Sequence, residues 1–461
     1  MSIFPIANLV KFFETTLESQ SSCMLKCLLR GDLKVFEEIL YQMVLDFYDK
    51  LAKAFIVYIL DSHKYKLQLI AFGSLYGFGD YRRRESDLQL RTGTIIRINS
   101  YYSYKAPFKS YESLGRHVSL IYWGCIGKAS PCYYSTCGLL AILCPSFTIG
   151  IQVLKHFGIK GNYNRMRDLA LKVGVLQKEQ GAKSICIPGE SLEGKRVVIS
   201  LDGGRSRTRE YTDKMTLKGN PKFDTNWREP KVFVIQVVND KGELERKIDI
   251  PFYGATMAAG QDALDELVDA LKTLQIDKAK EIQFIADGAH FFWSNIKEIL
   301  REAGVNMKKV TFTLDYFHAV EHLYELVRSI PKLEEKKSNQ LIKDLKDHLF
   351  NGTIYSLIQR LRTELNGHSN EDIEREINYF QKHYDHMQYK KFKRKKWLLG
   401  SGLVESAIRR IINLRFKSAS SFWKVEYLDQ LIRLRATFLA GRWEFLIDFL
   451  ANRVISKVGT K

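Results

Sequence analysis

Three aspartates lie where predicted strands of this sequence end. Asp202 follows the run VVISL, Asp287 closes EIQFIAD and Asp315 closes KVTFTLD. The carboxyl ends of neighbouring parallel strands meet at one edge of a sheet, where sites form in α/β proteins. Carboxylates gathered there repel one another unless a cation lies between them, and hard divalent cations prefer oxygen ligands. This placement predicts a metal site, although Asp after a strand is also a common turn or helix-capping residue.

A fourth acid lies far downstream, in the segment GSGLVESAIRR. The Gly-Ser-Gly sequence predicts the start of a helix, with Glu405 in the first turn. A carboxylate in that position can simply interact with the helix dipole or with Arg409, four residues later. The alternative interpretation is a third metal ligand, because the helix has an apolar face that can pack on a sheet.

The order of elements after Lys195 is typical of an α/β protein. Three β-type runs come first, namely RVVISL, KVFVIQVV and ERKIDI. They are followed by helix GQDALDELVDALKTL, strand EIQFIAD, helix FFWSNIKEILREAG and strand KVTFTLD. Three successive strands followed by βα units predict a mixed sheet with helices on its faces. The chain after Tyr316 reads as almost entirely helical.

The first part of the chain, to about residue 90, reads as helices, because apolar residues recur at helical spacing in IANLVKFFETTLES and in LKVFEEILYQMVLDF. A period of two between RTGTIIRINSYYSY and GRHVSLIYWGC predicts a small β element. The uncharged stretch Ala129–Leu154 is long enough to cross a bilayer. Its polar residues and Pro145 favour a buried pair of helices instead, and we expect no membrane association.

The charge and cysteine content narrow the class of protein. The chain has 71 Lys and Arg against 52 Asp and Glu, a net charge of +19 that favours a polyanionic partner. Its seven cysteines form no disulfide framework, and no signal-peptide pattern precedes them, so we expect a reducing, cytoplasmic setting. The four cysteines between residues 125 and 144 lack C-x2-C spacing, and we expect no structural zinc.

Five ordered motifs resemble those of insertion-sequence transposases of the ISKra type. These enzymes belong to the RNase H-like Asp-Asp-Glu superfamily, and the chain is also similar in layout to Mutator-like transposases. The motifs are VVISLDGGRSRTRE, FIADGAHFFW, LDYFHAVEHLYEL, GSGLVESAIRR and LIRLRATFLAGRWE. Asp315 and His318 match the D-x2-H element that follows the second catalytic aspartate in such transposases. The resemblance covers roughly residues 195–444.

The resemblance implies an α/β fold, with an RNase H-like mixed-sheet catalytic core, a helical insertion and a largely helical N-terminal region. It also implies that Asp202, Asp287 and Glu405 hold two Mg²⁺ or Mn²⁺ ions. Such a pair of ions can serve both cleavage of a phosphodiester and strand transfer. Asp315 and His318 would support the site or contact DNA, although His318 can also be an ordinary residue at a helix start.

Basic residues flank the predicted site, and we expect them to contact DNA phosphates. They are Arg205, Arg207, Arg209, Lys393, Arg394, Lys395, Arg409 and Arg410. A run of charges can also be only a solvated face. Gly203 and Gly204 would turn the chain and leave room for a DNA backbone.

These observations predict a DNA transposase that acts on double-stranded DNA, at the ends of its own element and at the target. We expect a homodimer or larger synaptic assembly, located in the cytoplasm with the nucleoid. The expected regions are 1–190, mainly helical with a small β and cysteine element, for DNA-end binding; 191–330, the first part of the core; 331–396, a basic helical insertion; and 397–461, helices that complete the core. The alternatives are an RNase H-fold nuclease without transfer activity and a transposase-derived DNA-binding protein without catalysis.

Overall fold

The computed structural model describes residues 6–105, 115–217, 219–244, 251–331, 333–364, 370–418 and 421–453. Contacts within the chain divide it into two compact units. The first consists of Met1–Gln177 and Glu444–Lys461, and the second of Lys178–Trp443.

The first unit consists mainly of helices and has one small antiparallel sheet. Its elements are α1 (Ile6–Leu29), α2 (Leu33–Asp61), α3 (His63–Leu75), β1 (Gly79–Gln89), β2 (Ile95–Lys105), β3 (Arg116–His117), α4 (Val118–Tyr122), α5 (Pro131–Leu143), α6 (Phe147–His156) and α7 (Tyr163–Gln180), the last of which continues into the second unit. The strands are ordered β1-β2-β3. Apolar residues of β1 and β2 pack against Leu60 and Leu69 of α2 and α3, so the sheet and these helices share one core.

Two sequence expectations for this unit are wrong in detail. Strand β1 occupies a segment that was expected to be helical. The strand was missed because its charged sequence YRRRES lacks the alternation of apolar and polar residues that usually predicts a strand. The segment VSLIY was expected to be a strand and forms helix α4. The uncharged stretch does form two helices, α5 and α6, which are separated at Pro145. No helix within the described residues is long and apolar enough to cross a membrane.

The second unit contains a larger sheet and most of the helices. Its elements are β4 (Arg196–Gly203), β5 (Ser206–Met215), β6 (Pro221–Arg228), β7 (Lys231–Val238), β8 (Phe252–Thr256), α8 (Gln261–Thr273), β9 (Glu281–Ala286), α9 (His290–Glu302), β10 (Val310–Leu314), α10 (Tyr316–Arg328), α11 (Glu335–Asn351), α12 (Ile354–Glu364), α13 (Glu371–His383), α14 (Tyr389–Arg394), α15 (Gly402–Ile408), α16 (Leu414–Phe416), α17 (Val425–Leu439) and α18 (Trp443–Arg453), which continues into the first unit. A π-helical turn, Arg409–Asn413, joins α15 to α16.

The five-stranded sheet has the order β10-β9-β4-β7-β8. The central strand β4 is parallel to β9 and antiparallel to β7. The outer strands continue this scheme, since β10 is parallel to β9 and β8 is antiparallel to β7. This mixed α/β arrangement is the RNase H-like sheet that the resemblance implies.

Both faces of the sheet are buried, which explains the continuous apolar runs of its strands. Val197 and Ile199 of β4 belong to the core that includes α8 and α9. Val198 points to the other face, where α10, α11 and α13 contribute the core. The central strand is therefore fixed from both sides, and so is the acid at its end.

The structure contains strands that the sequence analysis did not predict. The predicted strand ERKIDI, residues 245–250, lies outside the described residues, and β8 follows it. The basic segment after Asp202, expected to be a loop, forms the hairpin of β5 and β6. Its residues are mostly exposed or half-buried, so the segment lacks the apolar pattern from which a strand is usually predicted.

Candidate metal centre

The strand register brings three acids to the same level of the sheet. Ser200 of β4 pairs with Ile285 of β9, and each strand reaches its aspartate, Asp202 or Asp287, two residues later. Leu314 of β10 pairs with Ala286, so Asp315 is level with Asp287. Because all three strands are parallel, their aspartates emerge at one edge.

Asp202 lies in an electrostatically unfavourable position. Burial, the neighbouring charge of Asp287 and, to a smaller extent, that of Glu405 raise its pKa to about 6. The Gly203 amide, which donates to Oδ1 at 2.6 Å, and the charge of His318 act in the opposite direction. A cation placed beside such a carboxylate favours its charged form and offsets the repulsion from the neighbouring acids.

Asp287 is held in the turn before α9. Its Oδ1 accepts a hydrogen bond from the Ala289 amide at 3.0 Å, and its carbonyl oxygen accepts one from the Trp293 indole. Gly288 is required beside it, because a Cβ there would overlap the Tyr379 ring. The turn therefore fixes the direction in which the Asp287 carboxylate leaves β9.

Asp315 is fully buried and both of its oxygens are engaged. Oδ1 caps α10 by accepting from the amides of Phe317 and His318, at 2.6 and 3.0 Å. Oδ2 accepts from the amide and the hydroxyl of Ser401, each at 2.5 Å. Burial acts to raise the pKa of Asp315, but the hydrogen bonds from His318 and Ser401 outweigh it and lower the pKa to about 2. Asp315 thus ties α10 to the turn that precedes α15.

His318 lies one turn into α10, with its Nδ1 3.6 Å from Oδ2 of Asp315. That distance is long for a hydrogen bond, so Asp315 affects the pKa of His318 through the attraction between their charges. Asp315 raises the pKa of His318 to about 9, against the opposing effect of burial, and Glu321 contributes further. His318 is therefore a cation at neutral pH.

Glu405 reaches the site from a different direction. Helix α15 buries Val404 and Ala407 and packs on β4 and β7, while Glu405 on its other side is exposed. The Oε1 atom of Glu405 lies 3.2 Å from the Ser401 hydroxyl oxygen, whose single proton is donated to Asp315 at the shorter distance. A cleft lined by Phe317, His318 and Glu405, among others, opens beside it.

The glycines after Asp202 lie close to other parts of the protein. A Cβ on Gly204 would overlap Ile412, and one on Gly203 would overlap the side chain of Glu229. Gly204 therefore allows the helical segment that carries Glu405 to approach β4 closely. The expectation that the two glycines also leave room for a DNA backbone stays a prediction.

Two sets of donors could hold a metal ion. Ligand atoms of Asp315, His318 and Glu405 all lie within 4.8 Å of one another, and within the described residues Asp202 and Asp287 do not join that group. The chemistry of this compact set is unfavourable, because the oxygens of Asp315 are already hydrogen-bonded.

Asp202, Asp287 and Glu405 form the second set. In the contacts of the described residues, one oxygen each of Asp202 and Asp287 accepts a hydrogen bond, and Glu405 is exposed. Carboxylate oxygens are the donors that hard divalent cations prefer.

The predicted DNA-binding residues lie in three parts of the second unit. Arg205, Arg207 and Arg209 lie at the start of the hairpin, directly after the strand that carries Asp202. The second group, Lys393, Arg394 and Lys395, is exposed at the end of α14. In the π-helical turn Arg409 is exposed, whereas Arg410 donates to the Tyr253 hydroxyl at 2.6 Å.

Ser401 was missed by the sequence analysis. Its hydroxyl donates to the buried Asp315, 86 residues earlier in the chain, and lies 3.2 Å from Oε1 of Glu405. The only signal was its place in GSG, which was interpreted as a helix start. The aromatic side chains of the hairpin were also not predicted as part of a binding surface.

Comparisons with known proteins identify no family. No family model matches the chain, and no curated protein sequence is significantly similar to it. Among solved structures, the chain is similar to the Drosophila P element transposase strand transfer complex, with 12% sequence identity over 72% of this chain and 85% of that chain. The TM-score is 0.24, too low to support a functional argument. The function has to be inferred from the geometry of the chain itself.

Proposed function

We propose that the chain is a DNA transposase of the ISKra type, which cleaves DNA at the ends of its element and joins the strands to a target. The observation that supports this best is the common level of Asp202, Asp287 and Asp315 on three parallel strands. The charges of Asp287 and Glu405 act together on Asp202, as expected of carboxylates that share one site.

Asp202, Asp287 and Glu405 would hold the two Mg²⁺ or Mn²⁺ ions. When bound, such ions activate a water or a 3′-hydroxyl and stabilise the leaving oxygen of a phosphodiester. Asp315 has a positioning role, because it fixes Ser401 and with it the first turn of α15. His318 supplies a positive charge beside the carboxylates, where a DNA phosphate would approach.

The partner in this proposal is double-stranded DNA, at the element ends and at the target. The net charge of +19 and the exposed arginines and lysines beside the site favour such a polyanion. A homodimer or larger assembly is required because two element ends have to be held together. The mainly helical region 1–190 would bind the ends, in a protein of the cytoplasm associated with the nucleoid.

The test uses the purified full chain and linear DNA that carries inverted repeats from either side of the coding sequence. Asp202→Asn, Asp287→Asn and Glu405→Gln should each bind this DNA normally and fail to cleave it with Mg²⁺. Glu426→Gln is a matched control, because Glu426 is also an exposed acid in the first turn of a helix. Normal cleavage by Glu405→Gln would refute the assignment of the triad.

A second assay separates transposase from nuclease. Element ends that have already been cleaved are mixed with a supercoiled target plasmid and Mg²⁺. A transposase gives joined product, whereas cleavage of intact ends without any joined product indicates a nuclease. Binding without either activity indicates a protein that has lost catalysis.

A further inference from the structure

The hairpin of β5 and β6 has two chemically different faces. Arg207 lies opposite Trp227, and Tyr211 lies opposite Phe223, with Arg209 between them. Opposite residues of an antiparallel pair share a face, and alternate residues of a strand do too. These five side chains form what we call the arginine–aromatic face.

The other face of the hairpin has a mixed character. Glu210 lies opposite Asp224, and Arg228 forms an ion pair with Glu210 at 2.6 Å. Its acids would repel a polyanion, and Glu210 already neutralises Arg228. The two faces therefore differ in charge as well as in aromatic content.

The rings of the arginine–aromatic face are unusually open to water. Trp227 is 53% exposed, Tyr211 47% and Phe223 38%. Aromatic side chains of this size usually contribute a large buried area to a core or to an interface. Three of them exposed together on one small hairpin indicate a binding surface.

Cations alternate with rings along this face. The Arg207 guanidinium lies 5.5 Å from the centre of the Trp227 ring, and that of Arg209 lies 5.8 Å from Phe223. A stacked guanidinium still presents N–H groups at its edge, with the geometry that suits a phosphate. The face thus combines flat apolar rings with donors for an anion.

The first residues of β5 are hydrogen-bonded to the rest of the second unit, so the arginine–aromatic face is preorganised. The Trp423 amide donates to the Arg207 carbonyl at 3.1 Å, and the Arg209 amide donates to the Trp423 carbonyl at 2.9 Å. The Phe422 ring packs 5.7 Å from that of Phe223. Such anchoring reduces the entropy that binding would cost.

We propose that the arginine–aromatic face binds single-stranded DNA. Unpaired bases can stack on the exposed rings irrespective of their sequence, while the arginines contact the phosphates. Paired bases are stacked on one another inside a duplex, so the rings would add little to the binding of double-stranded DNA. Because β5 begins four residues after Asp202, the bound strand would be the one that is freed at the metal site; that part rests on the proposed function.

The test measures binding of the full chain to a fluorescent oligodeoxythymidine in EDTA, where no cleavage takes place. Trp227→Ala and Phe223→Ala should each weaken binding about fivefold or more, because stacking on one ring contributes at least that much. Binding to a duplex of the same length should change little. Trp227→Phe, which keeps a ring, should bind as the wild type does, and so should Asn226→Ala, an uncharged change at an exposed residue of the opposite face.

Three results would overturn the proposal. Unchanged affinity for the oligodeoxythymidine in both alanine variants would show that the rings do not bind bases. An equal loss for duplex DNA would mean that only phosphates are contacted, and tighter binding of an oligouridine would indicate an RNA site. If an alanine variant unfolds, the comparison of Trp227→Phe with Trp227→Leu replaces it. Since all measurements are made in EDTA, failure of the cleavage assay would not affect them.

Discussion

Replacing Asp315 by asparagine tests the assignment of this residue as the link between α10 and the turn before α15. Asparagine has nearly the same shape as aspartate, but it has no charge and only one acceptor oxygen. In the variant, either Ser401 or the first amides of α10 therefore lose their hydrogen-bond acceptor, at a position that is fully buried. It also removes the negative charge that faces His318.

The pKa of Asp315 sets the scale of the effect. Its reduction from 3.8 to about 2 corresponds to roughly 2.5 kcal/mol, at 1.36 kcal/mol for each pKa unit. The rise of the His318 pKa from 6.5 to about 9 describes partly the same interaction and would correspond to roughly 3.4 kcal/mol. We rely on the smaller value, because the His318 side chain is 36% exposed and solvent weakens its charge interactions.

The sign of the pH dependence follows from these two shifts. The pKa of Asp315 is lower in the folded chain, so its stabilisation is present above about pH 4 and is lost as the pH falls towards 2. The pKa of His318 is higher in the folded chain, so its stabilisation is complete below about pH 6.5 and is lost as the pH rises through 9. The pair therefore contributes most between these limits.

Urea unfolding of wild type and Asp315→Asn, near pH 6, measures this contribution. We expect the variant to lose about 2 kcal/mol of unfolding free energy, and the difference to shrink at acidic pH. NMR titration should show the His318 pKa of the variant returning towards 6.5. An unchanged His318 pKa together with wild-type stability would refute the network.

Three further predictions concern the surroundings of the site. In EDTA above about pH 6, Asp202→Asn should be at least as stable as wild type, because the folded chain disfavours the charged form of Asp202. Mg²⁺ should then raise the thermal unfolding temperature of wild type more than that of the variant. A larger rise for the variant would exclude Asp202 as a ligand. Gly204→Ala should cost about 1–3 kcal/mol in urea unfolding and slow cleavage, because its Cβ overlaps Ile412; full activity would mean that this close approach is unnecessary. Arg433→Met should cost about 3 kcal/mol in the same measurement, since it removes the buried cation that Asp429 and Glu266 share and leaves Asp429 paired with the half-exposed Lys178. A loss below about 1 kcal/mol would contradict that role.

Much of the sheet was predictable from local sequence. Strands β4, β9 and β10 are buried on both faces, so their apolar runs stand out, and each ends at an acid that is easily recognised. Proline likewise predicted the break between α5 and α6. These features depend only on backbone preferences and on burial, which a short segment encodes by itself.

The hairpin and strand β1 were not predictable in this way. In β5, arginines alternate with serine and threonine, and β6 is exposed along its whole length, so neither strand shows an apolar face. Such strands are stabilised by contacts with the strand opposite. In the hairpin, β5 is also bridged to Trp423, which lies far away in sequence.

The sequence determined which acids are available, and the order in which they occur along the chain. Only the tertiary structure decided how they are arranged. The strand register makes Asp202, Asp287 and Asp315 level, and both oxygens of Asp315 accept hydrogen bonds, from Ser401 and from the first amides of α10. The physical reason is that hydrogen-bond saturation and electrostatic coupling depend on distances between side chains, and the packing of α15 on β4 sets these distances across long stretches of sequence.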